Sequence, residues 1–212
     1  LQNRNGELSG RLNVTTLSGI VPLILPAILS FQGQHPKIGV NLKTSPALAR
    51  LEIGEAHVAI RAGVPTEHPD YIVQPFTKIR FGLYASHEYL ETFGVPDNTN
   101  YQLHRFVSVK DEGHQLPFTK WFEENVPLEA ISIEVDNLHS AAEAIKAGAG
   151  IGFLDGEAAG SRLDIEPIIP LSDNFSVAIW LLTHIDLHQT EKVQSFTKHL
   201  KSTMAHRRTQ SV

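Results

Sequence analysis

The spacing of apolar positions changes several times along this chain. "GRLNVTT" (Gly10 to Thr16) places Leu12 and Val14 on one side, "KIGVNLKT" (Lys37 to Thr44) does the same with Ile38, Val40 and Leu42, and "AHVAIRAG" carries a third such run. A period of two predicts strands. Between the first two lies "LSGIVPLILPAILSF" (Leu17 to Phe31), which predicts a helix, and "ALARLEIGE" predicts a short helix ended by Gly54. The resulting βαβαβ order implies a parallel sheet with helices on its faces.

Beyond the loop "RAGVPTEHPD", the segments "YIVQPF" and "RFGLYAS" predict two strands in close succession, followed by a helix from Ser86 to about Phe93. "HRFVSVKD" (His104 to Asp111) predicts a strand, "LPFTKWFEENV" a helix, and "AISIEVD" (Ala130 to Asp136) a strand. "NLHSAAEAIKAGAG" then predicts a helix stopping at Gly148 or Gly150, with "IGFLD" a strand after it, so the middle of the chain holds a second α/β unit. "FSVAIWLLTH" predicts a strand, and "QTEKVQSFTKHLKSTM" an amphipathic helix with Val193, Phe196, Leu200 and Met204 on one stripe. The polar "AHRRTQSV" at the end is expected to fray.

Leu17 to Phe31 is the most apolar stretch, and a membrane span is the first alternative to test. A spanning helix needs about 20 mostly apolar residues; this run has fifteen, with Pro22 and Pro26 inside it. Arg4 and Arg11 precede it as in a signal peptide, but its exit, "FQGQHP", has no small-x-small cleavage site, and a strand-like segment comes before it. It is read as a core helix. The chain has 212 residues, 42% of them hydrophobic, and a net charge of -5. That composition fits a globular protein and provides no basic surface for nonspecific phosphate binding. The absence of cysteine excludes disulfides, thiolate metal sites and a cysteine nucleophile.

Several motifs invite a chemical reading and do not sustain it. "AGAGIGFLDG" has glycines at 148, 150 and 152, but it follows a helix and precedes a strand, the reverse of a dinucleotide loop, and position 153 is phenylalanine. A helix stop feeding a tight turn is preferred. His184 and His188 in "HIDLH" would share a helical face but have no third ligand nearby, so no metal is assigned. "SFTK" (Ser195 to Lys198) lies on the terminal amphipathic helix and is read as solvent-facing. There is no nucleophile elbow and no P-loop, and the chain is expected not to be an enzyme. The geometry of strand ends remains: "VTTLSGI" leads from the first strand into a helix, with the hydroxyls of Thr15, Thr16 and Ser18 at the sheet's carboxyl edge and Ser18 as the expected N-cap. Asp136-Asn137 repeats the arrangement in the second unit.

"GRLNVTTLSGIVPLILPAILSFQGQHPKIGVNL", "GEAHVAIRAG", "FGLYASHEYL", "AAEAIKAGAGIGFLD" and "WLLTH" occur in an order and spacing that resembles the effector-binding, C-terminal domain of LysR-type transcriptional regulators from end to end. The resemblance implies an α/β, two-lobed type 2 periplasmic-binding-protein-like fold with two crossover strands. It places lobe I at 11–74 and 174–205 and lobe II at 75–173, with residues 1–10 as the end of a linker helix and 206–212 as a frayed tail. A small-molecule effector is expected in the inter-lobe cleft, with no cofactor.

Carried onto this sequence, the family's effector positions are Thr16, Leu17 and Ser18, then Thr44 and Ser45, then Arg61 and Ala62, and Asp136 and Asn137 in lobe II. The segment between "NLKT" and "GEAHVAI" is several residues shorter than is usual in the family. Arg61 is read either as a ligand-facing cation or as a salt bridge to a hinge carboxylate. The family's antiparallel dimer implies an interface of Leu25 and Leu29 on the first helix against Ala142 and Ile145 on the helix after Asn137. The resemblance further implies a cytoplasmic homodimer, dimeric or tetrameric at full length, that reaches DNA only through an N-terminal winged helix-turn-helix absent from this chain, with no membrane partner. The alternative reading is a secreted solute-binding protein of a transporter.

Overall fold

The computed structural model describes residues 8–47, 49–64, 67–110, 116–160 and 164–210, with the side chains of 207–210 outside the description. The strands are β1 (Gly10–Thr16), β2 (Ile38–Thr44), β3 (Val58–Ala62), β4 (Tyr71–Ser86), β5 (Phe106–Val109), β6 (Ile131–Val135), β7 (Gly152–Asp155) and β8 (Ile165–His184). The helices are α1 (Val21–Gln34), α2 (His87–Phe93), α3 (Thr119–Asn125), α4 (Leu138–Lys146), α5 (Gly156–Gly160), α6 (Ile185–His188) and α7 (Glu191–Gln210). The chain forms two compact units, one reaching Thr77 and resuming at Ala178, the other spanning Lys78–Val177. It passes between them twice, through β4 and through β8.

In the first unit β1 is parallel to both β2 and β3, and β3 is antiparallel to the last part of β8. Leu12 and Val14 of β1 and Val58 and Ile60 of β3 are buried. On that side α1 contributes Ile24, Ala27, Ile28 and Phe31, and α7 contributes the stripe Val193, Phe196, Leu200 and Met204, all buried. Phe31 meets Phe196 edge-on at 5.1 Å, a preferred arrangement for aromatic pairs. The opening apolar run is therefore a core helix, entered through a 3-10 turn at Ser18–Ile20 with Pro22 in the first helical turn, where its missing N–H costs nothing. No helix among the described residues is long and apolar enough to cross a membrane.

The second unit is built on β5 and β6, which are parallel, with the segment at Ile151 parallel to β5 and β7 antiparallel to β4. Its core stacks Phe118 on Phe153 at 4.4 Å and packs Phe81, Leu83, Tyr89 and Phe106 around them. A second cluster joins Tyr84, Val107 and Leu154 to Ala141, Ala142 and Ile145 of α4.

Several expectations are corrected. "ALARLEIGE" supplies one 3-10 turn, Leu51–Ile53, instead of a short helix; Gly54 ends it in the left-handed conformation at φ 75°. "YIVQPF" and "RFGLYAS" belong to one continuous strand, β4. At the polar end α7 runs to Gln210, with no Pro or Gly interrupting it. At the other end Gly10 is in β1 and not in a linker helix, while residues 1–7 and 211–212 of the expected linker and tail lie outside the described residues.

Candidate functional site at the carboxyl ends of the parallel strands

In the first unit, Thr16 and Thr44 are register partners at the ends of β1 and β2, and the Ser45 N–H donates to the Thr16 carbonyl at 3.0 Å. Ala62 ends β3 on the same edge, followed by Gly63 at φ 93°. Parallel strands thus bring Thr16, Leu17, Ser18, Thr44, Ser45 and Ala62 to one edge of the sheet. Thr16 is fully buried and its hydroxyl has no hydrogen-bond partner among the described residues, an arrangement that costs stability unless something else satisfies it. Ser18 is exposed and begins the 3-10 turn; the N-cap is Leu17, which makes no side-chain cap. The expected capping role of Ser18 is therefore corrected, and its hydroxyl stays available.

Arg61 bonds within the first unit to carbonyls and a hydroxyl, not to a carboxylate among the described residues. Its Nη1 donates to the Ser45 carbonyl at 3.1 Å, and its Nη2 donates to the Thr15 hydroxyl and the Ala47 carbonyl, each at 3.0 Å. The guanidinium fork thus ties the loop after β2 to β1 and β3 through three of its five N–H donors, with no carboxylate engaged among the described residues. Burial alone pushes its pKa down, and its Nε is buried without a partner.

In the second unit, β5, β6 and β7 also end on a common edge. Asn137 caps α4, its Oδ1 accepting the Ser140 N–H at 2.8 Å, while its Nδ2 donates to Asp136 at 2.6 Å. Asp136 is exposed. Sequence reasoning missed Asp155 at the end of β7: its carboxylate accepts the N–H groups of Glu157 and Ala158, both at 2.9 Å, and burial pushes its pKa upward. Its signal was the same as that of Asp136, an acidic residue at a strand-to-helix junction.

The remaining motifs are accounted for structurally. A Cβ on Gly150 would lie 2.5 Å from the Arg105 carbonyl oxygen, so the glycine run serves close backbone approach. His184 Nδ1 accepts the Asp186 N–H, His188 pairs with the Thr183 hydroxyl at 2.9 Å, and no group of three or more metal-ligating side chains gathers among the described residues. Ala142 and Ile145 are corrected as interface residues: at 2% and 0% exposure they are core residues of their own unit. Leu25 and Leu29 are exposed, at 41% and 59%.

A model of the LysR substrate binding domain matches residues 5–205. The chain belongs to this family. The fold is correspondingly the α/β, two-lobed, periplasmic-binding-protein-like fold of LysR regulatory domains. The regulatory domain of CrgA, a LysR-type regulator from Neisseria meningitidis, is similar at a TM-score of 0.77 and 19% identity, over 92% of this chain and 99% of that one. The effector domain of the regulator AmpR of Pseudomonas aeruginosa gives 0.74 at 18% identity, over 93% and 97%. The full-length virulence activator AphB of Vibrio cholerae gives 0.70 at 20%, over 91% of this chain and 68% of that one. In sequence, an HTH-type transcriptional repressor of Pseudomonas aeruginosa is 34% identical over 92 residues, 43% of this chain and 29% of that protein. The matched part thus spans under a third of this curated relative. These similar proteins are transcriptional regulators and not enzymes.

The candidate site is a set of strand ends. Its polar groups are hydroxyls, backbone N–H groups at helix starts, one capping amide and the carboxylates of Asp136 and Asp155. Such groups can bind and orient a small molecule through hydrogen bonds.

Proposed function

We propose that this chain is the effector-sensing part of a LysR-type transcriptional regulator, which binds a small organic acid at the carboxyl ends of its parallel strands. The observation that carries this reading is Thr16, a fully buried hydroxyl without a partner among the described residues, at the strand end that leads into a helical turn. A carboxylate accepting from the Thr16 hydroxyl and from the first N–H groups of the Ser18–Ile20 turn would satisfy donors the protein leaves unused. The proposed contacts are Thr16, Leu17, Ser18, Thr44, Ser45 and Ala62. Arg61 is assigned a positioning role through Ser45 and Thr15. Asp136 and Asn137 are the corresponding strand-end residues of the second unit and are tested in the same way.

The effector shifts the regulator between states by binding one better than the other, and so alters DNA binding through an N-terminal helix-turn-helix. The regulator works in the cytoplasm as a homodimer or a tetramer, with the exposed Leu25 and Leu29 of α1 in the dimer contact. A thermal-shift screen of small organic acids, followed by calorimetry on the parent, Thr16→Val and Ser18→Ala, tests the site. A hit bound as tightly by both variants as by the parent would overturn it.

A further inference from the structure

One face of the first unit's parallel strands is polar and only partly covered. Strands alternate their side chains between faces, so Leu12, Val14 and Thr16 face the α1–α7 side, whereas Asn13 and Thr15 face the other. Asn13 pairs in register with Asn41, and Thr15 with Lys43, which sets four polar side chains in a two-by-two patch. Parallel strands are ordinarily covered by apolar packing on both faces; here Ser45, Ala47 and Glu55 instead close over the patch to leave a cavity of about 130 Å³. That is space for roughly ten waters or one small organic molecule.

The groups facing this cavity have unused hydrogen-bonding capacity, two donors and one acceptor. Asn41 Nδ2 reaches Asn13 Oδ1 only at 3.5 Å, the limit of a hydrogen bond. The Asn13 Nδ2, the Asn41 Oδ1 and the Lys43 ammonium have no partner among the described residues. Glu55 is already engaged: its carboxylate accepts from the Arg50 backbone N–H at 2.8 Å and from the Arg50 guanidinium at 3.2 and 3.3 Å. Arg61 holds three of the lining residues, Thr15, Ser45 and Ala47, and has no carboxylate partner among the described residues. Lys43 lines this cavity and Arg61 stands behind it, while Glu55, the one lining carboxylate among the described residues, is hydrogen-bonded to Arg50 and also feels the Lys43 charge. A half-buried guanidinium without a counter-charge is unfavourable, and an anion beside it relieves that cost.

We propose that this cavity is a second small-molecule site, taking a small anion with a carboxylate or phosphate group. The Lys43 ammonium and the Asn13 amide donate to the anionic group, the Asn41 carbonyl accepts from a hydroxyl or N–H on the ligand, and Arg61 supplies positive potential from behind Thr15. The site lies within one unit and on the face of β1 opposite to the Thr16 side chain. Of the effector contacts proposed above it shares Ser45 alone.

The test is a titration of the ¹⁵N-labelled chain with succinate and with inorganic phosphate, followed by amide shifts at constant ionic strength against sodium chloride. The expected result is saturable shifts at the Asn13 and Asn41 side-chain amides and at Lys43 and Ala56 with at least one probe. Lys43→Gln should weaken that binding about tenfold, whereas Thr16→Val should leave it unchanged. The partner-free amides can be checked separately with Asn41→Leu, which is also at an exposed position and should keep the parent spectrum elsewhere. Absence of saturable shifts beyond those with chloride, or equal affinity in Lys43→Gln and Asn41→Leu, overturns the proposal. Saturable shifts confined to Thr16–Ser18 overturn it too, while supporting the strand-end reading.

Discussion

Arg61 of β3 donates from Nη2 to the Thr15 hydroxyl of β1 at 3.0 Å, and so fastens two parallel strands through a side chain instead of an ion pair. Its two other hydrogen bonds run to the Ser45 and Ala47 carbonyls of the loop after β2. Replacing Arg61 with Met is expected to destabilise the chain by about 2 kcal/mol, since hydrogen bonds to a charged group are worth roughly 1.5–3 kcal/mol each and part of that is returned by solvent. Arg61→Lys should recover less than half of the loss, because a single ammonium cannot span three acceptors set out for a fork. Urea unfolding of the three proteins decides it; parent-like stability in Arg61→Lys would sink the assignment.

Thr16→Val separates stability from binding. The substitution keeps the shape and removes a buried hydroxyl that has no partner, so it should stabilise the free chain by about 1 kcal/mol. The same change should weaken the effector by roughly tenfold if that hydroxyl donates to it. A rise in unfolding midpoint together with a loss of ligand-induced thermal shift is the expected pair of results. Loss of stability would mean that the hydroxyl has a partner in the free protein.

Much of this arrangement could be read from the chain, and the parts that could not have physical reasons. The strand and helix periods at Leu12–Val14, Ile38–Leu42 and Val193–Met204 are strong because each element buries one face. The continuity of β4 was hidden because Pro75 and the exposed Lys78 and Arg80 resemble a break, although Phe76 and Phe81 stay buried on either side. Arg61 could not be placed because two of its three partners are backbone carbonyls, which every residue carries. Ala142 and Ile145 fit an apolar stripe equally well whether it faces a partner or its own core, and in the fold it faces Val107 and Leu154. The cavity at Asn13 and Asn41 depends on a register and a covering loop, neither of which leaves a motif.

Acid should weaken the first unit through His199. Its Nε2 is buried, its ring lies 5.5 Å from that of Phe31, and His35 packs against the same Phe31 at 4.6 Å. Burial first, and the nearby His35 second, push the His199 pKa below its ordinary 6.5. A histidine with a depressed folded pKa contributes stability that is present above the unfolded pKa and lost as pH falls through the folded value. His57 and His104 are shifted the same way, chiefly by burial. The unfolding free energy should therefore decline as pH falls from 7 to 5, with a smaller decline in His199→Gln. An unchanged pH slope in that variant would remove His199 from the account.

Gly150 should tolerate no side chain. A Cβ there would sit 2.5 Å from the Arg105 carbonyl oxygen and 2.8 Å from its carbon, both backbone atoms that move only with β5. Gly150→Ala is expected to cost at least about 3 kcal/mol, beyond ordinary overpacking, or to prevent the second unit from folding. Gly33→Ala, where nothing lies within 4 Å of the added carbon, serves as the control and should be neutral or slightly stabilising by helix propensity. Circular dichroism melts of the two variants provide the comparison.

The dimer contact can be tested without confusing association with folding, because the expected interface residues differ in burial. A charge at Ala142 enters the core beside Ile145 and Leu154, so Ala142→Glu should unfold the second unit whether or not the chain dimerises. Leu25→Asp and Leu29→Glu place charges at exposed positions of α1, whose buried face of Ile24, Ala27, Ile28 and Phe31 is left intact. These two variants should keep the parent melting temperature to within a few degrees while a dimer gives way to a monomer in light scattering. A charge set in a desolvated apolar contact is expected to raise the dimer dissociation constant by about 100-fold or more, corresponding to roughly 3 kcal/mol. If mass is unchanged in both variants while the parent is dimeric, the contact does not use the exposed face of α1 and must be sought on another surface.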